Sequence, residues 1–378
     1  MRVLIDYRAA LRERSGVGEY THQLVRALLA RHTTGDGEPV EVTVFSSSRR
    51  DRLGDDPELA AARKVDRHIP VALLNLAWHR LGWPDAEGLS GGRFDIAHSL
   101  HPLLMPARQA AQVVTIHDLN FLLHPERTRA EIRRDYPSLA RTHAHRADQV
   151  VVVSEFTRGE VQRLLDVDPD RITVCSPGGP SWARRTGVEG PGYLLFFGTL
   201  EPRKNIGTLL DAYALLLEGG GPVPELVLAG KATEQSGPWL DRIGRAPLRG
   251  RVRHLGYIAP GARERLYAGA RLLIQPSFEE GFGLPVLEAM TVGVPVVAAD
   301  AGALPEVGGD AVQLCPPTEA EAMAGAIARL LADEPLARAA VERGFRQAAR
   351  YNWDRTAEDT VAAYRNALRY RARARGAA

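Results

Sequence analysis

Short apolar, β-rich runs alternate with helix-period segments from one end of this chain to the other. That alternation restricts the fold more than any other feature, because it is the signature of parallel α/β architecture. Strand candidates fall at 3–7, 40–45, 94–98, 113–116, 150–153 and 172–175, then at 193–197, 226–229, 252–255, 272–275, 294–298 and 312–315. Two sets of six, parted by Pro177-Gly178-Gly179-Pro180 and a polar stretch to Gly192, predict two doubly wound domains over 1–178 and 179–352 with a linker near 178–191. Residues 353–378 read as a long helix with Val361, Tyr364 and Leu368 on one stripe. At 378 residues the chain is long enough for two cores.

Composition narrows the partners. A formal charge of +2, from 48 Lys and Arg against 46 Asp and Glu, gives no support to nucleic-acid binding, which needs a concentrated basic face. Cys175 and Cys315 are the only cysteines, which argues against a disulfide framework and a cysteine-ligated zinc, and fits a reducing cytoplasm. The chain begins directly with strand-like Val3-Leu4-Ile5, without the pattern of a signal peptide, and no apolar run approaches bilayer-spanning length.

The chemistry concentrates at strand–turn–helix junctions. After the run Leu272-Leu273-Ile274 comes Ser277-Phe278-Glu279-Glu280-Gly281-Phe282-Gly283-Leu284-Pro285, with Pro285 read as opening a helix. The N–H groups of Phe282, Gly283 and Leu284 would point at whatever sits at the helix start, a seat for an anion. Glu280 and Glu288 bracket that seat, and carboxylates there are suited to accept from hydroxyls. A ligand with both phosphates and hydroxyls is a sugar nucleotide. At another junction, Phe197-Gly198-Thr199-Leu200-Glu201-Pro202-Arg203-Lys204-Asn205 sets a planar fork beside a point charge, and both suit phosphate oxygens; the bland reading is a surface turn. Gly16-x-Gly18, in Ser15-Gly16-Val17-Gly18, follows the first strand, but Thr21 stands where a dinucleotide fingerprint needs its third glycine. Val113-Val114-Thr115-Ile116-His117-Asp118-Leu119 ends a strand in a polar pair at the sheet edge where ligands gather.

Taken together, E-G-F-G-L-P-x-L-E-A-M with Glu280-x7-Glu288, T-I-H-D-L, S-E-F-T-R and G-x-L-E-P-R-K-N resemble the retaining glycosyltransferases of family GT4. That resemblance implies the GT-B fold: two Rossmann-like domains with parallel sheets facing an interdomain cleft, acceptor on the N-terminal side and nucleotide sugar on the C-terminal side. It also implies a last helix that crosses back to the N-terminal domain. The implied catalytic residues are His117, Glu280, Arg203 and Lys204. Donor-binding residues would be Gly16, Gly18, Arg203, Lys204, Tyr257, Ile258, Glu280, Phe282, Gly283, Leu284 and Glu288. Glu280 and His117 would hold the sugar and Glu288 the ribose, while the turn at Tyr257 and Ile258 would meet the base through backbone. Thr199 stands where many relatives have arginine, which shifts weight to Arg203.

The implied reaction moves a hexose, mannose in the subgroup most resembled, from a GDP- or UDP-sugar to a glycan or lipid-linked hydroxyl in bacterial glycan synthesis. No cofactor and no metal are expected. Rival readings are a sugar-nucleotide epimerase or phosphorylase on the same fold, and a non-catalytic sugar-nucleotide-binding protein. Asp166-Val167-Asp168 contains a D-x-D pattern, read here as a connecting turn. Residues 125–146, with Arg127, Arg129, Arg133, Arg134, Arg141 and Arg146, read as a solvated helix face or as peripheral contact with an anionic membrane at the inner face of the plasma membrane. His98 is a weaker acceptor-side candidate.

Overall fold

A computed structural model of the chain describes residues 1–11, 14, 16–31, 39–127, 130–188 and 190–376. Ser15 and Arg129 lie outside these, as do the side chains of Arg127, Arg133 and Arg134. The chain divides into two compact units, Met1–Gly178 with Asn352–Ala378, and Gly179–Tyr351.

The first unit carries seven strands: β1 (Arg2–Asp6), β2 (Glu41–Ser47), β3 (Arg63–Arg67), β4 (Ile96–Ser99), β5 (Ala111–Ile116), β6 (Gln149–Val152) and β7 (Ile172–Val174). They form one sheet in the order β3-β2-β1-β4-β5-β6-β7, each pair parallel. The central strands are buried along their length, as in a sheet covered on both faces. The sequence predicts six strands here, and β3 is the addition. Its residues Arg-Lys-Val-Asp-Arg bury only Val65, because an edge strand needs a partner on one side and little apolar surface.

The last helix, Trp353–Gly376, belongs to this unit and packs on the Val17–Ala30 helix. Its buried stripe runs through Ala357, Val361, Tyr364 and Ala367, whereas Leu368 is 36% exposed. The fourth contact falls on Ala367 in place of Leu368, and that small side chain permits close approach. Asn352, placed by sequence in the second domain, falls with the first because it caps this helix: Oδ1 accepts from the Arg355 N–H at 2.8 Å.

The second unit holds β8 (Tyr193–Phe197), β9 (Glu225–Ala229), β10 (Val252–Gly256), β11 (Ala270–Gln275), β12 (Val296–Ala299) and β13 (Gln313–Cys315), in the order β10-β9-β8-β11-β12-β13, again all parallel. Both orders place β1 or β8 at a point where the winding reverses, the topology of doubly wound nucleotide-binding sheets. A core of Leu194, Phe196, Leu209, Tyr213, Leu226 and Ile274 fills one side of this second sheet. Cys175 and Cys315 are free and buried.

Candidate active site

In the second unit the junctions after β8 and β11 meet. Lys204, in the 3-10 turn Pro202–Lys204, puts Nζ 2.5 Å from Glu280 Oε1, and Arg203 Nη1 lies 3.2 Å from Glu280 Oε2. Gln275 Nε2 and Ser277 Oγ also donate to Oε1, at 2.8 and 2.7 Å. The two turns are stitched by backbone, since the Phe278 N–H donates to the Arg203 carbonyl at 2.9 Å. Burial alone would push the Glu280 carboxyl up, but the Lys204 and Arg203 charges and the bonds from Lys204 and Ser277 outweigh it and hold it at about 2. Glu280 is therefore an ionised, almost fully buried group whose counter-charges are the two cations expected at a diphosphate.

Beyond Glu280 the chain turns into the Leu284–Val292 helix. Leu284 is its first residue and Pro285 its second, one step later than the sequence implies, which suits a ring that has no N–H to offer the first turn. Gly283 caps it with φ of 103°, where a Cβ would come within 2.8 Å of Leu304 Cδ2. Among the described residues, no acceptor is paired with the N–H of Phe282, Gly283 or Leu284. Phe282 itself is anchored edge-on against Tyr351, with ring centroids 5.4 Å apart.

Glu288 lies one turn inside this helix and is buried beside Arg263 and Tyr267 of the Pro260–Ala268 helix. Arg263 Nη1 is 3.9 Å from Glu288 Oε1, and its guanidinium stands 5.7 Å from the Phe197 ring. Burial, together with the Glu288 charge, pushes the Tyr267 phenol well above its ordinary value. Tyr257 and Ile258 follow β10 directly, and Tyr257 is 38% exposed.

His117 and the glycine loop are in the first unit. The His117 ring, half-buried at the end of β5, donates from Nε2 to the Leu100 carbonyl at 3.1 Å and packs edge-on to Tyr20 at 4.8 Å. Burial holds it down at about 4, so it is neutral at pH 7 with Nδ1 as its acceptor. Tyr20 projects from the Val17–Ala30 helix, which Gly16 opens at φ 51° and which contains Gly18. Asp118 accepts from the Asn120 N–H at 3.2 Å and so orients loop backbone. His98 is a core residue instead: its two ring nitrogens meet Tyr364 Oη and Thr115 Oγ1 at 2.8 and 2.7 Å. Ser154 caps the Glu155–Leu165 helix by accepting from the Thr157 N–H. Asp166 ends that helix at φ 56°, and Asp168 accepts from the Asp170 N–H at 3.0 Å, so both serve the turn.

Sequence reasoning missed Gln275, Ser277, Arg263 and Tyr267, and the grouping of His22, Asp56 and Glu58, whose ligand-type atoms lie within 4.8 Å of one another. The Arg14 guanidinium stands among these, 2.5 Å from Asp56 and 2.9 Å from His22. Gln275 and Ser277 were legible as polar residues ending a buried strand; Arg263 carried no local signal. Of the 125–146 segment, Arg141 and Arg146 are exposed on the Ala130–Arg146 helix. Among the described residues no helix is long and apolar enough to cross a membrane.

Residues 181–347 match the family model "Glycosyl transferases group 1", and residues 14–178 match "Glycosyltransferase Family 4". The chain is 35% identical over 274 residues to the O-antigen chain mannosyltransferase B of Escherichia coli, covering 69% of this chain and 72% of that one. In fold it is similar to sucrose-phosphate synthase from Thermosynechococcus elongatus, with a TM-score of 0.76 at 22% identity over 96% of this chain and 98% of that one. It is likewise similar to Anabaena HepE in complex with UDP-glucose, with a TM-score of 0.68 at 19% identity over 96% and 98%. With matched family models over both units, a 35% identical relative and two doubly wound parallel sheets, the chain belongs to the GT4 family of glycosyltransferases and has the GT-B fold.

Proposed function

We propose that this glycosyltransferase transfers mannose from a nucleotide-diphosphate sugar to a hydroxyl of a growing bacterial glycan, with retention at the anomeric carbon and without a metal. The observation that carries the reading is the buried Lys204–Glu280–Arg203 cluster set against the unpaired N–H groups of the Leu284–Val292 helix start. Glu280 and Glu201, the latter 2.6 Å from Arg203 Nε, hold the two cations in place beside the helix N-terminus, whose N–H groups face a departing diphosphate, which is electrostatic preorganisation. The 35% identical mannosyltransferase supports the sugar, and the UDP-glucose complex of a structural neighbour supports the donor class.

In this reading Arg203, Lys204 and the N–H groups of Phe282, Gly283 and Leu284 hold the phosphates. Glu280 keeps the two cations in place and accepts a sugar hydroxyl on Oε2, where Arg203 is the one side-chain donor named above. Glu288 takes the ribose, Tyr257 and Ile258 the base, and neutral His117 accepts a sugar hydroxyl on Nδ1, with Gly16 and Gly18 leaving room for close approach. As the anomeric C–O bond to phosphate breaks, the acceptor oxygen bonds to that carbon on the same face and its proton passes to a phosphate oxygen.

The test is a transfer assay with GDP-mannose and, separately, UDP-glucose on a mannose oligosaccharide, read by NMR of the new anomeric proton. The expected result is an α-linked product from the α-linked donor, with a rate unaffected by saturating EDTA. A β-linked product would overturn retention, and loss with EDTA restored by Mg²⁺ or Mn²⁺ would overturn metal independence. Nucleotide binding without transfer or donor hydrolysis would favour the non-catalytic reading.

A further inference from the structure

The amino ends of β1, β2 and β3 lie at the edge of the first sheet opposite the one that carries His117 and the glycine loop. Each of these strands opens on a charged residue: Arg2, Glu41 and Arg63. Parallel register sets Arg2 beside Glu41 and Arg63 beside Thr43, and side-chain alternation then puts all four on one face of the sheet. Together they line a cavity of about 370 Å³, with Leu29 and Val40 among its apolar walls. The donor chemistry uses none of these residues. Each guanidinium is braced. Arg63 Nη2 donates to the Ser90 and Gly91 carbonyls at 2.8 and 3.3 Å, and the Arg2 guanidinium lies over the Phe94 ring at 5.8 Å. Arg63 Nη1 and Arg2 Nη2 stand 3.1 and 3.5 Å from the point where a Cβ on Gly92 would lie, so the glycine leaves room for two cations to converge. Thr43 adds a hydroxyl. It is 5% exposed and lines the cavity, and among the described residues its Oγ1 has no hydrogen-bond partner.

Two carboxylates stand nearby, and neither closes the site. Asp95 Oδ2 accepts from the Arg2 backbone N–H at 2.7 Å. Glu41 Oε2 lies 3.9 Å from Arg2 Nε, beyond hydrogen-bond reach, and its side chain is 68% exposed. Among the described residues Arg63 has no carboxylate partner. Two like charges brought together are better placed with an anion than without one. Three separate donor groups around one cavity suit a tetrahedral oxyanion, which offers oxygens in several directions. A carboxylate presents two oxygens in one plane, and a single guanidinium fork satisfies it. We propose that this corner of the first unit binds phosphate, as the free ion or as the head of a small monoester, at a site separate from the donor turns. Arg2 and Arg63 supply the charge-assisted bonds and Thr43 a neutral one. The assignment goes beyond the transferase reading and does not depend on it.

Calorimetric titration of the full chain with inorganic phosphate tests it, and Arg203→Ala separates this site from the donor turns. Phosphate binding should persist in Arg203→Ala. In that background Arg63→Gln should weaken it about tenfold, the loss expected for one charge-assisted pair. Thr43→Val, which keeps the shape and removes the hydroxyl, should weaken it about fivefold. Acetate should bind about tenfold more weakly than phosphate. Nucleotide Kd should be the same in Arg63→Gln as in wild type. Glycerol 2-phosphate distinguishes the two sources of the anion. Tighter binding of the ester assigns the remaining cavity to its organic part, and tighter binding of the free ion assigns the site to phosphate itself. Undiminished phosphate affinity in folded Arg63→Gln and Thr43→Val proteins, or loss of all phosphate binding in Arg203→Ala, would overturn the proposal. Acetate bound as tightly as phosphate would do the same.

Discussion

Lys204 and Glu280 are each 8% exposed in their side chains and 2.5 Å apart, which makes them inseparable. Removing one partner of a buried ion pair typically costs about 3–5 kcal/mol, because the other charge stays behind in low dielectric. Lys204→Met is therefore expected to destabilise the chain by several times the effect of an exposed substitution such as Arg338→Met, and urea denaturation measures it. The same variant should lose nucleotide affinity. Glu280→Gln should bind free GDP or UDP nearly as wild type does and lose turnover, while unchanged turnover would remove Glu280 from the machinery. The pH dependence has a definite sign. Glu280 drops from 4.5 to about 2 on folding, so its contribution is complete above about pH 4.5 and is lost as pH falls toward 2. Wild type should lose stability more steeply than Glu280→Gln across that window, and parallel curves in acid titration would contradict the assignment. Arg263 is 4% exposed, and its Nη1 lies 3.9 Å from Glu288 Oε1. If it orients that carboxylate, Arg263→Met should narrow the preference for ribo- over 2′-deoxyribonucleotides. Equal narrowing in Glu288→Gln would tie the effect to the ribose contact, and an Arg263→Met preference equal to wild type would show that Arg263 only packs.

At the scale of elements, the helix start at Gly283 is fixed by backbone geometry. Its φ of 103° is strained for any residue with a Cβ, and the added carbon would meet Leu304 at 2.8 Å. Gly302 makes a similar demand, since a Cβ there would lie 2.7 Å from the Glu280 backbone. Residues forced into such conformations cost about 1–3 kcal/mol each. Gly283→Ala should therefore lower the thermal midpoint and weaken nucleotide binding together, whereas Gly261→Ala, with open space around its Cβ, should change neither. A Gly283→Ala protein with wild-type nucleotide affinity would mean that the N–H groups of this turn do not contact the donor. Most of these junctions were legible, because Gly, Pro and paired charges at strand ends are local signals. The β3 edge strand was not, because a strand that buries one valine shows no apolar period.

For the molecule as a whole, the two units have separate cores and separate sheets, so each ligand should leave its own footprint. Hydrogen exchange with GDP or UDP bound should protect amides at 203–206 and 278–290, while a mannose oligosaccharide should protect amides within 1–178. Nucleotide protection confined to the first unit would reverse the donor and acceptor assignments. What the sequence alone determined were the α/β class, the two-domain division and the residues of the donor motifs. These rest on period, turn chemistry and short-range spacing, which a chain carries without folding. Tertiary structure alone decided who neutralises whom. Glu280 lies 76 residues beyond Lys204, Arg263 lies 25 residues before Glu288, and Asp6 is 95 residues from His101. Such pairings follow from parallel strands being brought side by side by crossover helices, and sequence spacing carries no trace of which strand ends will meet. The same packing made His98 a core residue, through burial and partners that no one-dimensional pattern encodes.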